Sequence, residues 1–311
     1  VPHSGLPRLV LLTRQSPLEL LLERFGTRGQ VEFYLRSRGQ SLAEADAIHE
    51  RREQALTTVR AAIPVDRRQV RLDRRDLDRF LFAPDDVVIV IGQDGLVANV
   101  AKYLRGQLVI GINPDPARYD GVLVPHPASA ITALLQAAQT GRDPGYVRQS
   151  RCLAAVERED GQQLRALNEI YVGHRSHQSA RYRLRVGERE ERQSSSGVIV
   201  ATGTGATGWT RSICEQRRLD LTLPGVETPA LAWFVREPFP SVSTGTALNV
   251  GLLGAQEPLE LHSDMDDGGV AFADGIESDF LEFLSGQRLR IGLAPERLQL
   301  LMPLTDGGSD R

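Results

Sequence analysis

Val87-Val88-Ile89-Val90-Ile91-Gly92-Gln93-Asp94-Gly95 is the stretch on which the reading of this chain turns. Five apolar β-formers run directly into a glycine, a lone carboxylate and a second glycine. A short, unbroken apolar run of this kind predicts a fully buried strand, as in parallel sheets. Residues 96–105 read as the helix that follows. Strand, tight turn and helix N-terminus place Asp94 at the carboxyl end of a parallel sheet, where open α/β sheets bind ligands. The helix N-terminus offers unpaired N–H groups to an anion, most often phosphate. The stretch therefore predicts a phosphate site with a carboxylate beside it. Taken alone, the same residues serve equally as a strand-to-helix turn whose aspartate caps the helix.

Outward from this stretch, residues 8–13 read as an earlier buried strand. Ser16 and Pro17 follow as N-cap and first helical residue. Ser41 and Glu44 have capping-box spacing. They open a helix with apolar positions at Ala45, Ile48, Ala55 and Val59, ending before Pro64. Residues 69–72 predict a strand, 77–82 a short helix, 108–112 a strand and 128–139 a helix. Strands alternating with helices imply an α/β domain, a Rossmann-like parallel sheet with helices on both faces. The pattern changes at the turn-rich residues 140–145, so domains are expected at 1–142 and 143–311. Strands then dominate, at 147–158, 164–172, 181–186, 197–201, 231–235, 259–262, 269–272, 288–293 and 298–302, with one helix near 207–216. An all-β sandwich is expected there, ending in a frayed tail at 305–311.

Composition narrows the chemistry. The 311 residues are 41% hydrophobic and 25% charged, as in a soluble globular protein of one large domain or two ordinary ones. No apolar run approaches the ~20 residues needed to span a bilayer, and no signal peptide is visible. Val1 is not a usual start, so either earlier residues are missing or a non-standard start codon is written literally. A net charge of −3 argues against a general nucleic-acid binder. Cys152 and Cys214 make neither a disulfide framework nor a metal cluster, and a reduced, cytoplasmic protein is expected. Of the 37 basic residues, Lys102 is the only lysine. A P-loop needs Gly-Lys-Ser/Thr and a protein-kinase fold an Ala-x-Lys strand; this chain has neither. Phosphate chemistry here must use backbone N–H groups, arginine or a metal ion.

Two further loops stand out. Ala166-Leu167-Asn168-Glu169-Ile170 puts two poor β-formers inside an apolar strand. A strand edge or bulge with solvated side chains is the plain explanation. Residues 201–210 carry three glycines and four threonines between a buried strand and a helix. Glycines let a backbone approach a ligand closely, and threonine hydroxyls bind phosphate or ribose oxygens. A flexible connector with threonine caps is the alternative.

In this order the loops resemble those of the NAD kinase family, which carries Gly-Gly-Asp-Gly, then Asn-Glu, then a Thr-Pro-Thr-Gly-Ser or similar loop. The similarity is nearest to the mitochondrial-type branch. It runs through residues 111–116, 166–173 and 195–205, then Arg236-Glu237-Pro238 and Asp267-Gly268-Gly269. The match spans about residues 86–272, and the first 80 residues match only in α/β character. The resemblance implies an α/β domain followed by a β-sandwich, with the active site between them. It implies phosphoryl transfer to the 2′-hydroxyl of the adenosine ribose of NAD, giving NADP. Asp94 would be the general base, with Gly92, Gln93 and Gly95 at the donor phosphates. Asn113, Asn168, Glu169, Thr202, Thr204, Gly205, Thr207 and Trp209 would bind NAD. The donor would be ATP, another nucleoside triphosphate or polyphosphate, with Mg²⁺, in a homodimer or larger homo-oligomer.

The chain departs from the family pattern at Gln93, which replaces the motif's second glycine. Leu96 stands where threonine is usual, and Ala206 replaces a small residue such as serine. Two other readings keep the same loops: a kinase of this fold acting on another hydroxylated small molecule, and a non-catalytic NAD-binding regulator. His174 and His177 have metal-like spacing but no third ligand nearby, so a surface or substrate-rim pair is expected. Residues 262–267 resemble a cation loop in composition only and read as a hairpin turn. The charge run at 189–192 reads as a solvated hairpin. Cys152 and Cys214 read as buried and inert.

Overall fold

A computed structural model describes residues 5–141 and 143–304. The expected tail at 305–311 and residue 142, at the expected domain boundary, lie outside them. The contacts divide the chain into two units, one of residues 1–149 with 299–311, the other of residues 150–298.

In the first unit the strands are β1 (Leu9–Thr13), β2 (Gln69–Asp73), β3 (Val87–Ile91), β4 (Leu108–Asn113) and β5 (His126–Pro127). Every residue of β1, β3 and β4 is buried, which is why each reads as a near-continuous apolar run. The order β4-β3-β1-β2 is parallel throughout, with β5 added beside β4. The helices are α1 (Pro17–Phe25), α2 (Arg28–Arg36), α3 (Leu42–Ala62), α4 (Asp94–Ala101) and α5 (Ile131–Thr140). The complete capping box is at Ser16 and Glu19 of α1. At Ser41 the hydroxyl caps Ala43 N–H, and Glu44 pairs instead with Arg118 at 2.8 Å. The short helix expected at 77–82 is a 3₁₀ segment, Arg74–Arg79. The helix expected at 96–105 begins earlier and stops at Ala101, with Lys102 as its C-cap. Residues of β1, β3, β4, α3 and α5 form one core around Leu9, Leu11, Ile89, Ile110, Val59 and Leu134.

The second unit carries β6 (Tyr146–Arg158) from Ser150 on, β7 (Gln163–Ala166), β8 (Glu169–His174), β9 (Ala180–Val186), β10 (Arg189–Ser195), β11 (Val198–Ala201), α6 (Trp209–Arg217), β12 (Leu231–Val235), β13 (Val250–Leu253), β14 (Leu259–Ser263), β15 (Gly269–Ala273), β16 (Phe280–Glu282) and β17 (Arg288–Pro303) as far as Leu298. One sheet runs β10-β9-β14-β17, with β6 pairing to β17 and β7. The other runs β13-β12-β11-β8-β15-β16. Alternate residues of both sheets, among them Ile170, Val172, Val200, Trp233, Tyr182, Leu184, Leu261 and Ile291, bury one shared core. This is the expected sandwich.

Several details differ from the sequence reading. The strand expected at 164–172 is two strands broken at Leu167 and Asn168. Their N–H groups donate to Asp274 at 3.1 and 2.7 Å, so a carboxylate replaces the ladder there. Residues 288–302 form a single strand, β17, although Pro295 lies within it. Its last residues leave the sandwich and pair in parallel with β4, Gln299 opposite Leu108. The expected hairpin at 262–267 instead joins the two sheets, since β14 pairs with β9 and β17 while β15 pairs with β8 and β16. The charged run 189–192 is half of β10, which does form a hairpin with β9.

Candidate active site

In the first unit, β3 ends beside β4, and Gly92 N–H donates to the Ile112 carbonyl at 3.0 Å. Gln93 is the N-cap of α4 in extended geometry, with no side-chain cap bond. Asp94 opens the helix, and its carboxylate is held by a different segment. Oδ1 accepts from Leu123 N–H at 2.8 Å and Oδ2 from Val122 N–H at 3.1 Å. An ionised carboxylate has about four lone-pair sites, so these two bonds orient the group and leave acceptor capacity on both oxygens.

The segment that holds Asp94 is itself braced. Asn113, buried at the end of β4, donates from Nδ2 to the Tyr119 carbonyl at 2.8 Å and accepts from Asp115 N–H at 3.0 Å. Arg51 of α3 pairs with Asp115. Gly111 in β4 allows the close approach: a Cβ there would lie 2.1 Å from the Leu123 carbonyl oxygen. The Asn113 amide is thus committed to the loop that positions Asp94. At Gly95 the space is open, with nothing within 4 Å of an added Cβ. Gln93 turns its amide toward β1, where Oε1 accepts from Arg14 Nη2 at 2.7 Å.

In the second unit, β8 lies between β11 and β15. Ile170 and Val172 face the sandwich core, so Glu169 and Tyr171 share the opposite face. Glu169 is half-buried. Burial first, and the neighbouring Asp274 charge second, push its carboxyl up to about 7. The Asp274 backbone N–H donates to the Glu169 carbonyl at 2.9 Å, while the Asp274 carboxylate holds Leu167 and Asn168 N–H.

The glycine-rich loop after β11 is built around Thr202. That side chain is buried; its hydroxyl donates to the Leu167 carbonyl at 2.5 Å and accepts from Thr204 and Gly205 N–H at 3.1 and 3.3 Å. Thr204 is buried too, 3.4 Å from Arg151 Nη1. A Cβ at Gly203 would lie 2.0 Å from the Gly225 carbonyl oxygen, and one at Gly205 2.3 Å from that of Asn168. These two glycines therefore serve packing within the protein, not the approach of a ligand. The exposed part of the loop is Thr207, Gly208 and Trp209. Trp209 stacks on Tyr171, with centroids 6.3 Å and planes 13° apart, and the Arg236 guanidinium lies 4.9 Å from its ring centre. Tyr171 also packs against Phe272 at 4.9 Å.

The remaining sequence candidates fall away from this chemistry. His174 is buried at the end of β8, its Nδ1 accepting from Ser176 N–H at 3.1 Å, so it is not a surface residue. Cys152 is buried and Cys214 half-buried; burial raises both thiols, which lowers their thiolate fraction. No described helix is long and apolar enough to cross a membrane.

No family model matches the chain. It is 31% identical over 190 residues to NAD kinase 2, mitochondrial, of Rattus norvegicus, covering 47% of this chain and 44% of that protein. It is 30% identical over 130 residues to NAD kinase of Methanoregula boonei, covering 41% of this chain and 46% of that protein. The chain thus spans less than half the length of these curated relatives. Two solved structures share its architecture at a TM-score of 0.57. Yeast NADH kinase complexed with NADH, 13% identical, matches over 96% of this chain and 84% of that one. An NAD kinase from Archaeoglobus fulgidus in complex with ATP, 18% identical, matches over 96% of this chain and 94% of that one.

The fold is that of the NAD and NADH kinases. Within that NAD kinase fold, the sequence reading missed Arg14, Tyr171 and Asp274. Arg14 carried a usable signal, since it directly follows a buried strand at the ligand-binding edge of a parallel sheet. Asp274 also directly follows a strand, β15, but that strand is antiparallel to both neighbours, so its position carried no such signal.

Proposed function

We propose that this protein is an NAD kinase, transferring a phosphoryl group from a nucleoside triphosphate or polyphosphate to the 2′-hydroxyl of the adenosine ribose of NAD. One observation carries the reading: Asp94 opens α4 at the carboxyl edge of the parallel sheet, its carboxylate oriented by two backbone N–H groups. The similarity to curated NAD kinases and the shared fold support it. In the proposed step Asp94 accepts the ribose hydroxyl proton while that oxygen forms its bond to phosphorus. The bond from phosphorus to the bridging oxygen breaks, and the shortened phosphate chain leaves with its electron pair. Gly92, Gln93 and Gly95 would face the donor phosphates, with Gly95 the open position.

Asn168, Glu169, Thr207 and Trp209 would face the dinucleotide. Thr202, Thr204 and Gly205, being buried, would shape that surface from beneath. Glu169, protonated to a substantial degree near neutral pH, can donate a hydrogen bond to a ribose or adenine acceptor.

Mg²⁺ fits this reading as part of the donor. Among the described residues, the one group of three mutually close metal-ligating side chains is Glu19, His49 and Glu53. The Arg52 guanidinium already pairs with Glu19 at 3.0 Å and Glu53 at 2.7 Å. Mg²⁺ typically keeps several waters and binds phosphates with one or two carboxylates. It would arrive as the donor's chelate and neutralise charge on the transferring group.

The test is NADP formation from NAD, ATP and Mg²⁺ by purified protein. Asp94→Asn is expected to lower turnover about 10²–10⁴-fold and leave NAD affinity, measured by calorimetry, within about twofold. Unchanged turnover in that variant removes Asp94 from the role of base. No NADP with any donor removes the kinase assignment itself.

A further inference from the structure

Strands β3, β1 and β2 lie side by side in that order and run in parallel, so their carboxyl ends share one edge. The first residues beyond them include Arg14 after β1, Arg74 after β2 and Gln93 after β3. Arg14 is half-buried, and its Nη2 donates to Gln93 Oε1 at 2.7 Å. Arg74 is exposed and donates from Nε to Asn99 Oδ1 of α4 at 3.0 Å.

Both arginines are therefore held by neutral amides, and neither makes an ion pair with a described carboxylate. Arg8 and Arg52 of the same unit contrast with them. Arg8 pairs with Asp86 at 2.6 Å, and Arg52 with Glu19 and Glu53. Arg52 also donates to the Arg14 carbonyl, which pins the backbone of β1's end. Burial, and then the charge of Arg74, pull the Arg14 guanidinium below its ordinary value. A half-buried cation beside a second cation, with no carboxylate on either, is relieved by an anion that accepts from both. A planar guanidinium suits a phosphate oxygen pair. Lys102, the only lysine, is at the opposite end of α4 from Gln93, about 13–14 Å away at the usual helical rise, so it does not supply this charge.

We propose that Arg14, aimed by Gln93 and assisted by Arg74, binds the linear phosphate chain of the phosphoryl donor. The inference rests on the kinase reading for the word donor, but the anion site does not depend on turnover. It gives Gln93 a positive role: the residue that replaces a glycine of the family motif is the one that holds Arg14 in place.

The experiment titrates the full chain, without NAD, with inorganic tripolyphosphate and separately with ATP. Arg14→Gln is expected to weaken tripolyphosphate about tenfold or more, and ATP by a similar factor, because a charge-assisted pair is lost. Gln93→Gly is expected to weaken both by about threefold, and the double variant to bind no more weakly than Arg14→Gln alone, because the two residues act as one unit. Arg74→Gln, at an exposed position, is expected to weaken both by about threefold and carries the test if Arg14→Gln does not fold. Wild-type affinity in Arg14→Gln, or in Arg74→Gln where that variant carries the test, overturns the site. A loss confined to ATP also overturns it, since the nucleoside and not the phosphate chain would then be read. Additive losses in the double variant, or tighter binding in Gln93→Gly, overturn the aiming role. Tripolyphosphate binding that depends on Arg14 without any NADP formation would sink the kinase reading and leave this site standing. NADP formation with tripolyphosphate affinity indifferent to Arg14 would do the reverse.

Discussion

A methyl group added at Gly95 would meet nothing within 4 Å, whereas one added at Gly205 would lie 2.3 Å from the Asn168 carbonyl oxygen. Both glycines follow a buried strand and sit where a helix begins, so their sequence settings look alike. In the first loop the backbone is self-sufficient, and glycine leaves room outside the protein surface. In the second loop glycine is demanded from within, because Thr202, Leu167 and Asn168 draw two segments into backbone contact. A strand–glycine–helix pattern thus has two physical origins, and only the open one makes space for a ligand.

The sharpest way to break this comparison is to add the methyl groups. Gly203→Ala and Gly205→Ala are each expected to lower Tm by about 5 °C or more, since overpacking of about 1–3 kcal/mol has no flexible side chain to absorb it. Gly95→Ala, inside the first turn of α4, is expected to raise stability by about 0.5–1 kcal/mol while raising the KM for the phosphoryl donor. Thermal melts decide the matter. A destabilised Gly95→Ala, or an unaffected Gly205→Ala, would erase the distinction between the loops.

A pH series sharpens the second loop's neighbourhood. The Glu169 carboxyl is raised from 4.5 to about 7 in the folded protein, chiefly by burial. Between those values the folded state binds more protons than the unfolded chain, so stability falls as pH rises. Below 4.5 both states are protonated and the contribution is fully present; above about 7 it is lost. Glu169→Gln, which keeps the shape of the protonated acid, is expected to flatten the decline in Tm between pH 5 and 7. A decline of the same slope in the variant would assign it to other groups.

Why some of this was legible in the sequence follows from where the information sits. Strands buried on both faces, such as 87–91 and 108–113, announce themselves as apolar runs. Helix α2 buries only Val31 and Leu35, too thin a stripe to read. The return of β17 to β4 has no local signature, because Pro295 and Glu296 interrupt the apolar pattern and a parallel partner can be anywhere. Asp94 was visible as a lone carboxylate between glycines. Its support was not, since Val122 and Leu123 contribute backbone N–H groups that any residue carries. Thr202 was visible as a hydroxyl in a loop, but its burial is a tertiary fact. Arg14 looked like one arginine among many until Gln93 was seen to hold it.

The smallest effect tests the exposed end of the second loop. Trp209 is 40% exposed, stacked on Tyr171 and covered by Arg236, so it contributes little to the core while offering an aromatic edge to a ligand. Trp209→Ala is expected to change stability by no more than about 0.5 kcal/mol. The same variant should raise the KM for NAD about three- to tenfold, the range of one aromatic contact, with kcat nearly unchanged. Trp209→Phe, which keeps a ring at the stack, should recover most of that loss. If Trp209→Ala instead melts several degrees lower with KM unmoved, Trp209 belongs with Thr202 and Gly205 as internal structure. The ligand-facing part of the loop would then shrink to Thr207 and Gly208, the other exposed residues before α6.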